Sequence, residues 1–248
     1  MKKGLFILLI AVVAFSVLFV GCKKDSAVIS VATDATWPPM EYVDANKDIV
    51  GFDIDLLNLA AKEGGFEVEF QNTAWDGIFA GLANGDYDAV ISSVTITDER
   101  KKTMDFSTPY INAGQVLIVQ NATSGVTEIA DLKGKSVGAQ IGTTGAFEVD
   151  KVAGVELKTY DELGLAIEDL VNGRIGGVVA DTPIAADFAL QNDSYKGKLK
   201  IVGDAFTDEY YGVAVKKGNS EILDKINAGL KKVLDAGKDD ELKDKWLR

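Results

Sequence analysis

The sequence predicts an α/β fold with mostly parallel sheets. Short apolar runs, rich in β-branched residues, alternate with longer segments whose apolar residues recur every three or four positions. Strands that alternate with helices favour parallel sheets, because a parallel connection needs a crossover that a helix provides. The chain has only four Pro and no low-complexity tract, so no flexible linker divides it. Its 248 residues suffice for one large domain or two of about 100 residues each.

The first predicted elements follow one another in strand–helix order. Residues 28–33 form a β-branched run, and apolar residues at helical spacing predict a helix over residues 55–63. Residues 66–70 alternate apolar and acidic side chains, which is typical of a half-buried strand. A second helix is predicted from residue 77 to residue 84, with Asp76 as its N-cap, because Asp is a favoured N-cap residue.

The rest of the chain continues this alternation. An apolar stripe between Asp161 and Asn172 predicts a helix, and the last long helix, residues 220–236, places six apolar residues on one face. The remaining buried strands are predicted at residues 89–94, 116–119, 137–139, 178–180 and 213–215. The sequence has no visible internal repeat.

Composition excludes several classes of function. The chain contains no His and a single Cys, so no His-dependent catalysis, intrachain disulfide or Cys-rich metal site is expected. It has 38 acidic and 26 basic residues, a net charge of −12, which argues against nucleic acid as a partner. We therefore expect neither a metal nor a cofactor.

The first 21 residues resemble an export signal. Lys2 and Lys3 precede an apolar run over residues 4–21, which ends at the only Cys, Cys22. This arrangement resembles the bacterial lipoprotein box, with Phe19 where Leu is usual, and implies lipidation of Cys22. Residues 1–21 are then a signal peptide, and residues 22–26 form a tether to the membrane. The alternative is an uncleaved membrane anchor, since the run is nearly long enough to span a bilayer.

Two loops carry residues suited to binding an anion. Residues 140–145 follow a predicted strand and precede a predicted helix, where free N–H groups and glycines accommodate an anion. An ordinary strand-to-helix turn explains this loop equally well. Residues 92–100 end in Arg100 after several small hydroxyl residues, and an arginine can bind a carboxylate through two hydrogen bonds. Arg100 could instead pair with its own neighbours, Asp98 and Glu99.

A series of short motifs, taken together, resembles a known family. The motifs run from Gly51-Phe52-Asp53-Ile54-Asp55-Leu56 through Trp75-Asp76-Gly77, Gly85-Asp86-Tyr87-Asp88, Thr95-Ile96-Thr97-Asp98-Glu99-Arg100, Phe106-Ser107-Thr108-Pro109-Tyr110, Asp131-Leu132-Lys133-Gly134-Lys135 and Gly142-Thr143-Thr144 to Ala180-Asp181. In this order they resemble the extracellular solute-binding proteins for polar amino acids, the capture components of ABC importers. The resemblance covers essentially all of residues 28–248.

The resemblance implies two α/β lobes joined by two hinge crossings, with the ligand between them, as in the periplasmic binding protein type II fold. Lobe 1 would comprise residues 27–113 and 208–248, and lobe 2 residues 114–207. The crossings would fall near residues 113–116 and 207–211. Clefts between domains are favoured ligand sites, and hinge motion closes them.

The resemblance also implies a set of ligand-binding residues. Arg100 would bind the ligand carboxylate, assisted by Thr95 and by the backbone N–H groups of Thr143 and Thr144. The ligand ammonium would be received by Asp181, with the Ser93 carbonyl and the Thr95 hydroxyl. The ligand side chain would lie between Trp37 and Phe52, with Asp34 at its far end as in relatives that bind basic amino acids or glutamine. Trp75 and Tyr110 are assigned to packing, and Glu41 and Ser92 are left without a role.

By resemblance the protein is a monomeric, membrane-tethered binding protein that passes an L-amino acid to an ABC permease without a covalent step. Arginine or lysine is the expected ligand, with glutamine next. The alternative is an enzyme, since the fold also hosts cyclohexadienyl dehydratases, although these need a general acid beside the leaving hydroxyl rather than an ammonium partner such as Asp181. A further alternative is a sensor domain that acts through a separate partner.

Overall fold

Two five-stranded sheets dominate residues 28–248, which are the residues that the computed structural model describes. The predictions for residues 1–27, including the signal peptide, Cys22 and the tether, lie outside this part of the chain. Between residues 28 and 248, no helix is long and apolar enough to cross a membrane.

The strands are numbered in chain order. They are β1 (Val28–Thr33), β2 (Thr36–Trp37), β3 (Glu41–Val43), β4 (Ile49–Val50), β5 (Glu67–Asn72), β6 (Ala89–Val90), β7 (Met104–Phe106), β8 (Ile111–Asn112), β9 (Gln115–Gln120), β10 (Ser136–Gln140), β11 (Glu156–Tyr160), β12 (Gly177–Asp181), β13 (Leu199–Val202), β14 (Tyr210–Tyr211) and β15 (Ala214–Lys216).

The helices are numbered in the same way. The α-helices are α1 (Phe52–Gly64), α2 (Trp75–Asn84), α3 (Thr144–Asp150), α4 (Leu163–Val171), α5 (Thr182–Ala186), α6 (Ser220–Asp235) and α7 (Lys238–Trp246). Short 3-10 turns cover Arg100–Lys102 and Ile129–Leu132, and a π-helical turn covers Asp187–Gln191.

The two large sheets share one layout. The first has the strand order β5-β1-β6-β15-β7 and the second β11-β10-β12-β9-β13. In each sheet the first three strands are parallel and the last two join in antiparallel pairs. Four of the five strands in each sheet therefore run in the same direction, which confirms the expectation of mostly parallel sheets. The strands that run against them, β9 and β15, each enter a sheet just after the chain has crossed between the lobes. The two-lobed α/β fold itself is confirmed.

The chain passes between the lobes twice, and the two passages are paired. β8 and β14 form a two-stranded antiparallel ribbon. Beyond it the Ala113 N–H donates to the Glu209 carbonyl at 2.8 Å, and the Gln115 N–H donates to the Thr207 hydroxyl at 2.8 Å. Gly114 lies between these bonds, and a Cβ there would meet the Thr207 carbonyl oxygen at 2.2 Å. The close approach of the two segments therefore requires glycine.

The core of the first lobe forms where α1 packs on α6. Leu56, Ala60, Ile226 and Leu230 are fully buried there. A Cβ on Gly229 would lie 2.2 Å from the Ala60 carbonyl oxygen, so glycine lets the two helices approach closely. The apolar stripe predicted for the last long helix is thus the face that closes this core.

Helix α2 begins differently from the prediction. It starts at Trp75, and Asp76 and Gly77 have non-helical dihedral angles, so the chain kinks between the first residue and the regular turns. Gly77 has φ 98°, a region that favours glycine. Asp76 is therefore within the kink rather than at the N-cap, and Trp75 lies just before the kink.

Candidate functional site

A cavity lies between the lobes, and the space between its lining atoms, counted together with the solvent at its mouth, is about 320 Å³. Several of its polar side chains stand at or just beyond the carboxyl ends of parallel strands, where ligands of α/β sheets bind. Asp34 follows β1, Ser92 and Ser93 follow β6, Gln140 ends β10 and Asp181 ends β12. The lining consists of Asp34, Trp37, Glu41, Trp75, Ser92, Ser93, Thr95, Arg100, Gln140, Thr143, Thr144 and Asp181.

Eight of the nine predicted binding residues line this cavity, and Phe52 does not. Phe52 is fully buried at the start of α1, where its ring stacks on Tyr110 with centroids 6.4 Å apart. The assignment of Phe52 to the cavity is therefore wrong, because the first residue of α1 faces the core. Trp75, assigned to packing, lines the cavity together with Trp37. The buried indole nitrogen of Trp37 has no hydrogen-bond partner within residues 28–248, so it has a donor to offer.

Arg100 is a partly buried cation without a carboxylate partner in the described part of the chain. Its guanidinium donates to the Thr95 carbonyl at 2.9 Å and to the Gly142 carbonyl of the other lobe at 3.2 Å. The rings of Trp75 and Phe79 lie 5.5 Å and 5.1 Å from it. None of the ion pairs in the described part of the chain includes Arg100. Burial lowers the pKa of Arg100 to about 10, so it stays charged at neutral pH.

The alternative partners of Arg100 are occupied elsewhere. Asp98 pairs with Lys101, and Glu99 pairs with Lys102, both as exposed pairs on the outer side of the 3-10 turn. The guanidinium thus remains available on the cavity side, held in place by neutral carbonyls and aromatic rings.

Asp181 is the corresponding buried carboxyl of the second lobe. It is only 5% exposed and is the direct cross-strand partner of Gln115 in the antiparallel pair of β12 and β9. The Gln115 amide donates to its Oδ1 at 2.9 Å. Burial raises the pKa of Asp181 to about 7. Asp181 has only neutral hydrogen-bond donors within residues 28–248, so a cation would stabilise its charged form.

Asp34 connects the lobes at another point of the cavity. Its Oδ1 accepts from the Thr36 hydroxyl at 2.9 Å, and its Oδ2 accepts from the Gln140 amide of the second lobe at 2.9 Å. Burial raises the pKa of Asp34. Asp34 is only 4% exposed, and the two side chains that donate to its carboxylate, Thr36 and Gln140, are neutral.

Two further carboxyls form a buried pair on the first-lobe side. Glu41 is fully buried and accepts from the hydroxyls of Ser92 and Ser93, each at 3.1 Å. Asp53 behind it accepts from the Ser93 N–H and the Tyr110 hydroxyl, each at 2.8 Å. Burial raises the pKa of Glu41 well above its usual range, and the charge of Asp53 raises it further. Burial also raises the pKa of Asp53 to about 7, so the pair retains a proton at neutral pH.

Ser93 donates hydrogen bonds to both carboxyls of this pair, and its backbone conformation is strained. Its φ is 49°, which is uncommon for a residue other than glycine. This conformation lets one serine direct its N–H to Asp53 and its hydroxyl to Glu41.

The threonines of the site lie where the lobes meet. The hydroxyls of Thr95 and Thr144 are 3.5 Å apart across the lobes. Thr143 caps α3, because its hydroxyl accepts from the Ala146 N–H at 3.2 Å. The Thr143 hydroxyl also donates to the Gln140 carbonyl at 2.8 Å. The predicted anion loop is thus a capped helix start that opens on the cavity.

The sequence pattern missed part of the lining. The sequence predicts no role for Glu41 and Ser92, and it places Gln140 at the start of the anion loop without a role of its own. All of Ser92, Gln140 and Asp181 lie at strand ends, so a uniform strand-end rule would have found the first two. Within residues 28–248, no group of three or more Asp, Glu, Cys or His side chains is arranged to hold a metal ion.

The charges of the lining define a complementary ligand. Arg100 is the only basic residue in it, against Asp34, Glu41 and Asp181. Buried charges are strongly unfavourable unless paired. A molecule that offers one carboxylate and one or more cationic groups would pair charges that the cavity leaves unpaired.

Comparisons with known proteins agree with this chemistry. A family model described as bacterial extracellular solute-binding proteins, family 3, matches residues 29–248. A probable histidine-binding protein of Neisseria gonorrhoeae is 39% identical over 92% of this chain and 88% of its own length. A putative ABC transporter arginine-binding protein 2 of Escherichia coli K12 is 37% identical over the full length of both chains. A solved structure of an ancestral arginine-binding protein bound to glutamine is 44% identical and covers 88% of this chain and 97% of its own, with a TM-score of 0.83.

The buried acid pair gives a prediction about stability. The pKa of Asp53 is about 7 in the folded protein and near 3.8 when unfolded. Between these values the folded state holds a proton that the unfolded chain has released, so the free energy of unfolding falls as pH rises. Asp53→Asn removes this proton uptake and lets the amide donate to Glu41. Relative to wild type, the variant should therefore gain stability between pH 4.5 and 7.5 in urea unfolding.

Asp48→Asn, in an exposed loop, is the control and should follow the wild-type pH profile. Parallel profiles for Asp53→Asn and wild type would show that Asp53 does not take up a proton on folding.

Proposed function

Because the chain belongs to the bacterial extracellular solute-binding proteins of family 3, we propose that it captures a polar L-amino acid for an ABC importer. Arginine or lysine is favoured, and glutamine is next. The observation that carries the proposal is the presence in one cavity of two groups of opposite charge, a partly buried Arg100 and a buried Asp181, neither of which has an ion-pair partner in the described part of the chain. A free amino acid carries the two complementary charges on adjacent atoms.

The carboxylate of the ligand binds Arg100. The guanidinium offers parallel N–H groups whose geometry matches a carboxylate. Thr95 and the backbone N–H groups of Thr143 and Thr144 complete this half of the site. Closure excludes water, which strengthens the charge-assisted bonds because the local dielectric falls.

The ammonium of the ligand binds Asp181. An adjacent cation lowers the pKa of a buried carboxyl and so displaces its proton. The Ser93 carbonyl and the Thr95 hydroxyl accept the remaining N–H groups. This half of the site joins acceptors of both lobes, so binding favours the closed state.

The side chain of the ligand extends along Trp37 and Trp75 towards Asp34. A cation near aromatic ring faces gains about 0.5–2 kcal/mol, and a carboxylate adds a charge-assisted hydrogen bond. The relatives named for arginine and histidine, and the ancestral protein bound to glutamine, support a basic or amide side chain. Trp75, rather than Phe52, is therefore the second aromatic ring, with Trp37, beside the ligand side chain.

Closure involves the two lobes that the resemblance implied, residues 27–113 with 208–248 and residues 114–207. The paired crossings at β8 and β14 act as the hinge. Contacts that cross the cleft, Gln140 to Asp34 and Arg100 to the Gly142 carbonyl, hold the closed arrangement. The ligand adds the ionic contacts.

The protein works outside the cytoplasm, as its family description states. We infer that Cys22 is lipidated after removal of residues 1–21 and tethers the protein, as a monomer, beside an ABC permease. The arginine-binding relative named as part of an ABC transporter supports this partner. Neither a cofactor nor nucleic acid takes part.

A binding role explains the site better than the dehydratase alternative. A dehydratase needs a free general acid beside the leaving hydroxyl. The cavity carboxyls already accept fixed neutral donors: Asp34 from Thr36 and Gln140, Glu41 from Ser92 and Ser93, and Asp181 from Gln115. The relatives named above are binding proteins.

Arg100→Ala tests the site directly. Removal of a buried charge partner should cost about 3–5 kcal/mol, which is more than a hundredfold in the Kd of arginine, lysine and glutamine alike. Calorimetry measures this loss. Arg174→Ala is the matched control, because Arg174 is an exposed arginine paired with Asp169 and should leave the Kd unchanged. A loss of less than fivefold in Arg100→Ala would remove Arg100 from the site.

A thermal-shift screen against the twenty common L-amino acids tests the ligand class. Binding to the native state raises the melting temperature, so arginine and lysine should give the largest shifts, followed by glutamine. Leucine would leave Asp34 desolvated and unpaired, and glutamate would bring a second carboxylate to it. Asp34→Ala should weaken arginine more than a neutral amino acid. Leucine or glutamate above arginine, lysine and glutamine would contradict this ranking.

Mass spectrometry of the native N-terminus tests the anchor. The mature chain should begin at a lipid-modified Cys22, and Cys22→Ser should release the protein from membranes or leave the precursor unprocessed. An unmodified Cys22 at the start of a cleaved chain would refute lipidation.

A further inference from the structure

A hydrogen-bonded cluster behind the cavity joins the hinge to the proposed ammonium site. The amide nitrogen of Gln115 lies 2.9 Å from Asp181 Oδ1, 3.1 Å from Thr144 Oγ1 and 3.4 Å from Glu209 Oε2. The Thr144 hydroxyl donates to the same Glu209 oxygen at 2.6 Å. Glu209 and Gln115 are not part of the cavity lining.

Glu209 and Gln115 are the two members of the cluster that lie on the crossing segments, and hydrogen bonds hold the backbone of each. The Glu209 carbonyl accepts from Ala113 of the other crossing at 2.8 Å, and the Gln115 N–H donates to the Thr207 hydroxyl at 2.8 Å. The two crossing segments thus present one amide and one carboxylate side by side. The positions of these two side chains are therefore set by the pairing of the crossing segments as well as by the sheet that contains Gln115.

The orientation of the Gln115 amide is set by acceptors. Its nitrogen faces oxygens of Asp181, Thr144 and Glu209, while its oxygen is buried without a partner in the described chain. An unpaired buried acceptor is unfavourable, so the carboxylates determine which way the amide points. Space for its oxygen comes from Gly145, because a Cβ there would lie 2.7 Å from Gln115 Oε1.

We propose that Glu209 is a positioning residue for amino-acid recognition, which it serves from the hinge by fixing Gln115 and Thr144 so that the Asp181 carboxyl is oriented towards the ligand ammonium. This inference rests on the proposed function. Glu209 contributes in two ways: it holds the amide donor on Asp181, and it adds negative charge near the place that the ammonium occupies. Burial raises the pKa of Asp181, and the negative charge of Glu209 raises it further.

Glu209→Gln tests the proposal, with Asp208→Asn as the matched control. Asp208 is the exposed neighbour on the same crossing and accepts from Asn112 at 2.5 Å. Both changes remove one negative charge from the hinge. A glutamine at 209 replaces the carboxylate oxygen that accepts from Gln115 and Thr144 with a neutral amide oxygen, which is a weaker acceptor, so the Gln115 amide is held less firmly on Asp181.

The ligands for calorimetry are arginine and 5-guanidinopentanoate, which is arginine without its α-ammonium. Glu209→Gln should weaken arginine at least tenfold and the analogue less than threefold, and Asp208→Asn should change both less than twofold. Gly145→Ala displaces Gln115 without altering a charge, and should reproduce the selective loss for arginine. The melting temperature of each ligand-free variant checks that it is folded.

The outcomes separate this inference from the function on which it rests. If wild type binds no amino acid, the proposed function fails. If wild type binds arginine but Glu209→Gln changes its Kd less than twofold, Glu209 has no positioning role. Equal losses for both ligands would assign Glu209 to general hinge structure, and equal losses in Asp208→Asn would reduce the effect to net charge. Each of these results overturns the proposal.

Discussion

Two groups of opposite charge on opposite lobes, a partly buried cation and a buried carboxyl, determine how this site works, and neither is ion-paired within the described part of the chain. Arg100 in the first lobe is held by carbonyl oxygens and aromatic rings, and Asp181 in the second lobe by an amide. Burial opposes both charges, as the lowered pKa of Arg100 and the raised pKa of Asp181 show. A zwitterion of the right size relieves both penalties at once, whereas a ligand with one charge relieves only one.

The fold explains why such charges can persist. Each five-stranded sheet has three parallel strands, and their carboxyl ends open on the cavity from either side. Side chains at strand ends are held by the sheet but are not enclosed by it, so burial comes from the opposite lobe. The paired crossings let the lobes approach without unfolding either sheet. The energy that favours closure is therefore concentrated at the contacts that the ligand completes.

Much of the fold was predictable because its elements are local. Residues 28–33 form the first strand as predicted, and the last long helix, Ser220–Asp235, has the bounds of its apolar stripe to within one residue. Which aromatic ring lines the cavity was not predictable, since Trp75 lies just before the kink at Asp76 and Gly77 and Phe52 is fully buried at the start of α1. The bond from Gln140 to Asp34 joins residues 106 positions apart and depends on the approach of the lobes. The pattern of neighbouring residues contains no information about such contacts.

The site requires that both charged α-substituents of the ligand, the carboxylate and the ammonium, are paired in the same cavity. Calorimetry with arginine, agmatine and 5-guanidinopentanoate measures this most directly, because agmatine lacks only the carboxylate and 5-guanidinopentanoate lacks only the ammonium. Loss of either partner leaves one buried charge unpaired, so each analogue should bind at least a hundredfold more weakly than arginine, a difference of about 3 kcal/mol or more. Binding of either analogue within fivefold of arginine would contradict the account, since the charge facing the missing group would then have no role.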